Sequence, residues 1–266
     1  MTQAPNIPAD IRTVVREKYG AIAEGNPSGS GCCGGSGCGC GGDVLTEIGY
    51  SAEQAAAIPE GSNLGLGCGN PIAHAELKPG EAVLDLGSGA GIDCFLAARE
   101  VGPTGRAIGV DMTPAMIERA RANAAKSGTT NVEFRLGEIE HLPVADDSID
   151  AIVSNCVVNL SPDKPQVFRE AHRALKPGGR LLVSDLVLTR PLTPEAQRSV
   201  DLYVGCVAGA SMLDDYLGFI RDAGFADVEV LSRSAYTVGT AELPEGSAER
   251  DAFDAVVSVK VRGLKR

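Results

Sequence analysis

The chain has 266 residues, is 44% hydrophobic and carries a formal net charge of −11. That length supports one large domain with additions or two small ones, and the apolar fraction is ample for a core. The acidity excludes partners that need a basic face, nucleic acid and anionic membrane alike, and the 4% aromatic content without any Trp excludes aromatic cages.

Residues 1–10 hold two prolines and no apolar core, so no signal peptide is expected there. No apolar run reaches about 18 residues, which argues against a membrane span. A cytoplasmic location follows as the expectation. There the eight cysteines should be mostly reduced and available for metal, metalloid or redox chemistry.

In chain order, residues 9–24 read as an amphipathic helix with Ile11, Val14, Val15, Tyr19 and Ile22 on one face. Residues 25–43 form a glycine-rich arm carrying Cys32, Cys33, Cys38 and Cys40. Four thiolates can hold zinc, but the Cys-Cys-x4-Cys-x-Cys spacing is not that of the common knuckles; a flexible arm with exchangeable thiols is the stronger reading. Ser51 caps a short helix over 52–58 that Pro59 ends. A second glycine-rich loop runs from Leu64 to Pro71, with Asn70 as N-cap and Pro71 opening the next helix. Cys68 therefore sits in a turn, where a surface position is expected.

From 81 to 186 strands and helices alternate, which implies a parallel sheet covered on both faces. Strands are expected at 82–86, 106–110, 131–136, 148–154 and 180–186. Helices follow at 92–101, from Pro114 to about Ser127, and from Ser161-Pro162 to the Lys176-Pro177-Gly178-Gly179 stop. The first turn reads Gly87-Ser88-Gly89-Ala90-Gly91-Ile92. It is G-x-G-x-G rather than the dinucleotide G-x-G-x-x-G, because Ile92 holds the last place. Asp111 follows at the spacing of about 20 residues, where an acid ending a second strand accepts ribose hydroxyls. After strand three, Gly137-Glu138-Ile139-Glu140 stands where an acid or backbone group meets an adenine amine. Beyond 186, Thr193-Pro194 caps a helix to about Gly205, a second helix runs over 212–222, and strands at 227–234 and 253–262 extend the sheet.

The loop together with Asp111 resembles the S-adenosylmethionine site of class I methyltransferases. The fold expected is therefore α/β and Rossmann-like, a mostly parallel sheet with helices on both faces. Three parts are expected: an N-terminal helix and Cys/Gly-rich arm over 1–66, a cofactor-binding core over 67–186, and a C-terminal substrate-binding portion over 187–266. The resemblance places Asp85, Gly87, Ser88, Gly89, Gly91, Asp111, Met112, Gly137, Glu138, Ile139 and Asn155 at the cofactor.

Strand four ends in Ser154-Asn155-Cys156-Val157-Val158-Asn159. This is the carboxyl edge where ligands bind in open α/β sheets. Many amine methyltransferases carry a polar-Pro-Pro-aromatic motif here, and this chain has Asn155-Cys156-Val157-Val158 instead, with no obvious general base. A substrate that attacks without losing a proton fits that absence. Trivalent arsenic is thiophilic and three-coordinate and carries a lone pair, and soft thiolates select such centres.

Tyr19-Gly20 with Cys32-Cys33, Gly67-Cys68-Gly69-Asn70-Pro71, the Gly87–Cys94 loop, Ser154-Asn155-Cys156-Val157-Val158-Asn159-Leu160 and Gly205-Cys206-Val207-Ala208-Gly209-Ala210 resemble arsenite methyltransferases. The resemblance spans about residues 10–240. It implies that Cys156 and Cys206 hold As(III) during transfer, that Cys68 binds the incoming arsenical or enters a disulfide relay, and that Cys32 supplies another relay thiol. It implies thioredoxin or glutathione as reductant. A monomer is expected, and the acidity and the lack of a long apolar run leave no role for nucleic acid or membrane. Cys38 and Cys40 lie outside the shared pattern. Cys94, His74, His141 and His172 read as structural, and Asp93 as complementing its helix N-terminus. Two rival readings are a C-methyltransferase of the quinone-biosynthesis type, which leaves the cysteines unexplained, and a thiophilic-metal sensor, which leaves the cofactor site unexplained.

Overall fold

A computed structural model describes residues 11–25, 43–237, 240 and 243–266. Cys32, Cys33, Cys38 and Cys40 lie outside the described residues. The sheet is built from β1 (Ala82–Leu86), β2 (Arg106–Asp111), β3 (Val132–Leu136), β4 (Ile149–Asn155), β5 (Leu175–Leu188), β6 (Ala226–Ala235) and β7 (Val256–Leu264). Their order is β3-β2-β1-β4-β5-β7-β6. The first five strands pair in parallel, and β7 runs antiparallel between β5 and β6. All five residues of β1 are buried, which is why its sequence reads as an apolar run rather than an alternation.

The helices are α1 (Ile11–Ala23), α2 (Asp43–Glu47), α3 (Ala52–Ala57), α4 (Ile92–Val101), α5 (Pro114–Ser127), α6 (Lys164–Ala174), α7 (Pro194–Arg198), α8 (Val200–Val204), α9 (Leu213–Asp222) and α10 (Ala248–Asp254). Leu84 and Leu86 of β1 pack with Val167 and Phe168 of α6 and Tyr216 and Ile220 of α9. Val83, on the opposite face, packs with Phe95 and Ala98 of α4 and Ile117 and Ala120 of α5. One strand thus feeds two cores, as its period of two requires. A third cluster gathers Cys68 and Cys206 with Leu186, Leu202 and Tyr203, and α1 joins it through Ile11 and Val15.

Local chemistry sets most boundaries. The Ser51 hydroxyl and Gln54 form a capping box on α3. Pro114 opens α5, and Gly128 closes it in the left-handed region.

Five expectations shift. Helix α6 starts at Lys164, not Ser161, because Asp163 is the side chain that caps it, accepting from the Gln166 N–H. Strand β5 begins at Leu175, earlier than 180, where Leu175 pairs with Ile149 across an irregularity in the ladder. The helix expected from Thr193 to Gly205 is two helices, because Ser199 caps α8 in turn, accepting from the Leu202 N–H. Residues 253–254 close α10 rather than open β7, since Ser247 caps a helix just upstream. The turn after Asn70 is a single 3-10 turn over Ile72–His74 with Pro71 rather than Asn70 at its N-cap, and Asn70 Oδ1 accepts the Ala73 N–H at 3.1 Å.

Candidate active site

The strand order reverses between β1 and β4, and both strands end at one crevice. On the β1 side the chain turns through Gly87 (φ 67°), Gly89 (φ 51°) and Gly91 (φ 102°) into α4. All three stand in the region that favours glycine, and two have a second reason. A Cβ on Gly87 would strike Val157, and one on Gly91 would lie 2.8 Å from both Phe95 and Phe134. Gly91 is therefore a packing residue behind the loop rather than a wall of the cavity. Asp111, at the end of β2, holds the loop in place. Its carboxylate accepts the Gly89 N–H at 3.0 Å and the Thr113 N–H at 2.8 Å.

The cavity in this crevice is lined by Asp85, Gly87, Ser88, Gly89, Asp111, Met112, Gly137, Ile139 and Asn155, all expected from the sequence. Glu138 is not among them. It turns away toward Arg12 and Arg16, 3.9 Å from each. The acid in the cavity is its neighbour Glu140, which is buried and accepts from Ser161 at 2.6 Å and from Arg12 at 2.9 Å. Sequence reasoning also missed Tyr50, Asp93, Thr113 and the α1 residues Arg12, Val15 and Tyr19. Tyr50 and the α1 residues reach the cavity across long sequence separations, and α1 is tied over it by the Arg12–Glu140 pair and by Tyr19 donating to the Val204 carbonyl at 3.1 Å.

Two further carboxylates of this cavity, Asp85 and Asp93, are buried, and a third, Asp111, is partly exposed. Burial pushes the Asp85 carboxyl well above its ordinary range, and neighbouring Asp93 adds to the effect. Burial raises Asp93 to about 6 against hydrogen bonds from Tyr50 and Asn155 that favour its charged form. Asp111 is also raised by burial, partly offset by its two backbone donors. Tyr50 donates to Asp93 at 2.8 Å, and Asn155 donates to the Tyr50 oxygen at 3.0 Å and to the Gly69 carbonyl at 2.6 Å. Asp93 is thus part of the site and not merely a helix N-terminal charge. Cys94 is fully buried, donates to Asp85 at 3.5 Å and has its thiol pKa pushed up by burial, which makes it a packing residue. A cavity walled by buried acids is matched by a cationic ligand, and S-adenosylmethionine carries an ammonium and a sulfonium.

On the β4 side, Cys156 follows Asn155 at the cavity wall. Cys156 and Cys68 are joined as a disulfide, with Cα atoms 5.8 Å apart. Cys68 is buried, contrary to the surface position expected of its turn, because Gly67 and Gly69 let the loop press against the sheet. A Cβ on Gly67 would lie 3.0 Å from the Asn155 amide, and one on Gly69 would strike Ser184 of β5. The Cys68 N–H donates to Asn155 Oδ1 at 3.1 Å, so one amide touches both the acid network and the cysteine loop.

Cys206 lies at the end of α8. Its Sγ is 2.8 Å from the Cys156 carbonyl oxygen, and its own carbonyl accepts from Asn159 at 3.3 Å. Cys156 (φ 57°) and Cys206 (φ 64°) both occupy the left-handed region, which costs a non-glycine residue about 1–2 kcal/mol. Two facing cysteines held there by the surrounding structure are the kind of outlier that marks a functional site. Gly209 explains how the Cys206 loop comes so close, since a Cβ there would run into the Asn159 carbonyl. Gly205 meets only the preceding turn of its own chain. Gly209→Ala is expected to destabilise the fold by about 1–3 kcal/mol, as overpacking does, read as a lower urea midpoint.

The three cysteines are not gathered at one point. Among the described residues, the group that could hold a metal ion is Cys68, Cys156 and Asp185, with ligand atoms within 4.8 Å of one another. Cys206 stands beside the pair rather than in that group. Asp185 is fully buried and its carboxyl is pushed up to about 7 by burial.

Residues 77–224 match a family model described as a methyltransferase domain. The chain is 48% identical to an arsenite methyltransferase of Halobacterium salinarum over 97% of its own length and 67% of the relative's. It is 40% identical to an arsenite methyltransferase of Aquipseudomonas alcaligenes over 78% of its length and 62% of that protein's. The crystal structure of an arsenic(III) S-adenosylmethionine methyltransferase from Chlamydomonas reinhardtii superposes with a TM-score of 0.63 at 35% identity, over 83% of this chain and 72% of that one. The chain therefore belongs to the arsenite methyltransferase family of S-adenosylmethionine-dependent enzymes.

Proposed function

We propose that this chain transfers methyl groups from S-adenosylmethionine to trivalent arsenic held by cysteine thiolates. The observation that carries the reading is that Cys156 lines the cofactor cavity while touching both Cys68 and Cys206. When bound, S-adenosylmethionine supplies an electrophilic methyl group on a sulfonium.

Asp85 and Asp93 would hold that cation and Asp111 the ribose hydroxyls, with Ile139 and Met112 flanking the cofactor. With the Cys68–Cys156 disulfide reduced, arsenite exchanges its hydroxyls or thiol ligands onto Cys156 and Cys206, with Cys68 as the third thiol. The arsenic lone pair would then attack the methyl carbon in line, forming the As–C bond as the C–S bond breaks and S-adenosylhomocysteine leaves. No base is required, because no proton leaves arsenic. The protein contributes position and exclusion of water. Transfer leaves arsenic two electrons more oxidised, and closing the Cys68–Cys156 disulfide returns those electrons and restores the trivalent state. Thioredoxin or glutathione then reopens the pair, and Cys32 of the arm relays that exchange. In this reading 187–266 supplies the arsenic side of the site through Cys206, 67–186 the cofactor side, and 1–66 the cover and the relay. The enzyme acts as a monomer in the cytoplasm.

The test is to incubate reduced protein with arsenite, excess thiol and methyl-labelled S-adenosylmethionine, and to separate the arsenic species with elemental detection. Labelled methylarsenicals are expected. Tight arsenite binding without transfer would instead indicate a sensor. The acid cavity adds a pH signature. Asp93 titrates near 6 in the cation-free cavity, and a bound cation favours its ionised form. S-adenosylmethionine affinity is therefore expected to hold above that pH and to fall below it, by up to about tenfold per pH unit for one displaced proton. Calorimetry in two buffers of different ionisation enthalpy would show the proton release directly.

A further inference from the structure

Arsenic takes three thiolates, and the reading above supplies them from Cys68, Cys156 and Cys206. It leaves Asp185 without a task, although a carboxylate oxygen of Asp185 lies within 4.8 Å of both the Cys68 and the Cys156 sulfur, a group that Cys206 does not join. We propose that the reduced Cys68–Cys156 pair and Asp185 form a second, mutually exclusive site for a divalent cation of the zinc class, so that zinc and arsenic share two sulfurs and part at the third donor.

The donor set has the right chemistry. Zinc accepts thiolate and carboxylate ligands at about 2.3 Å and 2.0–2.2 Å, which places two donors on one ion roughly 3.5–3.8 Å apart. The three ligand atoms already lie within 4.8 Å of one another. Reduction must first let the two bonded sulfurs part to that spacing, and a short approach of the Asp185 oxygen then completes the set. The balance is simple: a dithiol reductant opens the disulfide, and two thiols then give up two protons as the cation binds.

The carboxylate is also held as a ligand would be. Asn159 and the Leu186 N–H donate to Oδ1, each at 2.9 Å, and Tyr216 donates to Oδ2 at 3.1 Å. Ligating carboxylates are oriented by such outer partners. Among the described residues no arginine or lysine lies within ion-pair distance of Asp185, which is fully buried. Partly buried Lys164 interacts with it only at longer range and spends its ammonium on the Ser161 carbonyl. A buried carboxylate so placed gains most from a cation. Arsenic is different: it is bound as a neutral tris-thiolate and asks nothing of a carboxylate.

The experiment uses the full chain with Cys32, Cys33, Cys38 and Cys40 replaced by serine, so that the arm cannot bind metal. Reduced protein is titrated with zinc against a chromophoric chelator, and separately with arsenite. One zinc equivalent is expected, lost when the disulfide is closed. Asp185→Asn is expected to weaken zinc at least about tenfold and to move arsenite affinity less than about threefold. Cys206→Ser is expected to do the reverse. Equal zinc affinity in Asp185→Asn, or an equal loss of zinc in Cys206→Ser, overturns the proposal, as does no zinc binding at all. Cadmium X-ray absorption on the unsubstituted site keeps the test independent of how Asp185→Asn folds: two sulfurs with oxygen supports the site, and three sulfurs overturns it. The arsenic arm rests on the proposed function, but the zinc arm needs neither cofactor nor methyl transfer, so the two can fail separately.

Discussion

Cys156→Ser is expected to reduce arsenic methylation at least about a hundredfold, the upper scale for losing an outer partner of a metal site and a lower bound for losing a ligand itself. The reason is that Cys156 occupies three roles at once. It lines the cofactor cavity, it is the disulfide partner of Cys68, and its carbonyl receives the Cys206 thiol. Serine keeps the left-handed backbone and the small volume, but its oxygen neither binds arsenic tightly nor forms a disulfide. The S-adenosylmethionine site should survive, because Asp93 is held by Tyr50 and Asn155, Asp111 by the Gly89 and Thr113 N–H groups and Asp85 by the Cys94 thiol, none of them by the Cys156 sulfur. Two measurements check this: single-turnover methylation for the chemistry and calorimetry for the cofactor. Full turnover by the variant would remove Cys156 from the ligand set. Loss of cofactor binding along with turnover would mean that the disulfide, not the thiolate, is what the site needs from it.

What the sequence displayed was the part of the site that is local. The β1–turn–α4–β2 unit was legible because its glycines, its buried run and Asp111 stand at fixed short spacings, and each spacing has a steric meaning. The cysteine loops were legible as resemblances. The parts that stayed hidden depend on distant pairings. Nothing in the segment around Tyr50 says that its hydroxyl will meet Asp93, because 43 residues separate them and the contact exists only after α4 has docked. Asp185 reads as one acid in an apolar strand. Its position beside two sulfurs is fixed by the β4–β5 register, which sets Asn155 opposite Ser184. Cys68 was misplaced for a related reason: a turn rich in glycine is normally at the surface, but here the missing side chains of Gly67 and Gly69 are what let it be buried. The same limit explains Glu138 and Glu140. Two acids two residues apart are equivalent on paper, and only the approach of Arg12 and Ser161 shows which one turns inward.

Asp111→Ala is expected to weaken S-adenosylmethionine roughly ten- to hundredfold while leaving arsenite binding to the reduced cysteines within about threefold, on the scale of 1.5–3 kcal/mol for a charged hydrogen bond. Two losses combine. The ribose loses its acceptor, and the glycine loop loses the carboxylate that fixes the Gly89 and Thr113 N–H groups. Asp111→Asn separates these contributions. The amide keeps one acceptor for the loop but removes the negative charge and presents a donor in place of the second acceptor. If the loop matters more than the charge, Asn should recover most of the affinity lost by Ala. If the charge matters more, the two variants should bind alike. Unchanged affinity in both would take Asp111 out of the cofactor site. Arsenite binding is the internal control throughout, since Asp111 belongs to the β2 edge of the crevice and the cysteines to the β4 edge. A variant that lost both ligands together would report damage to the fold rather than to the ribose contact, and a urea midpoint measured alongside would show it.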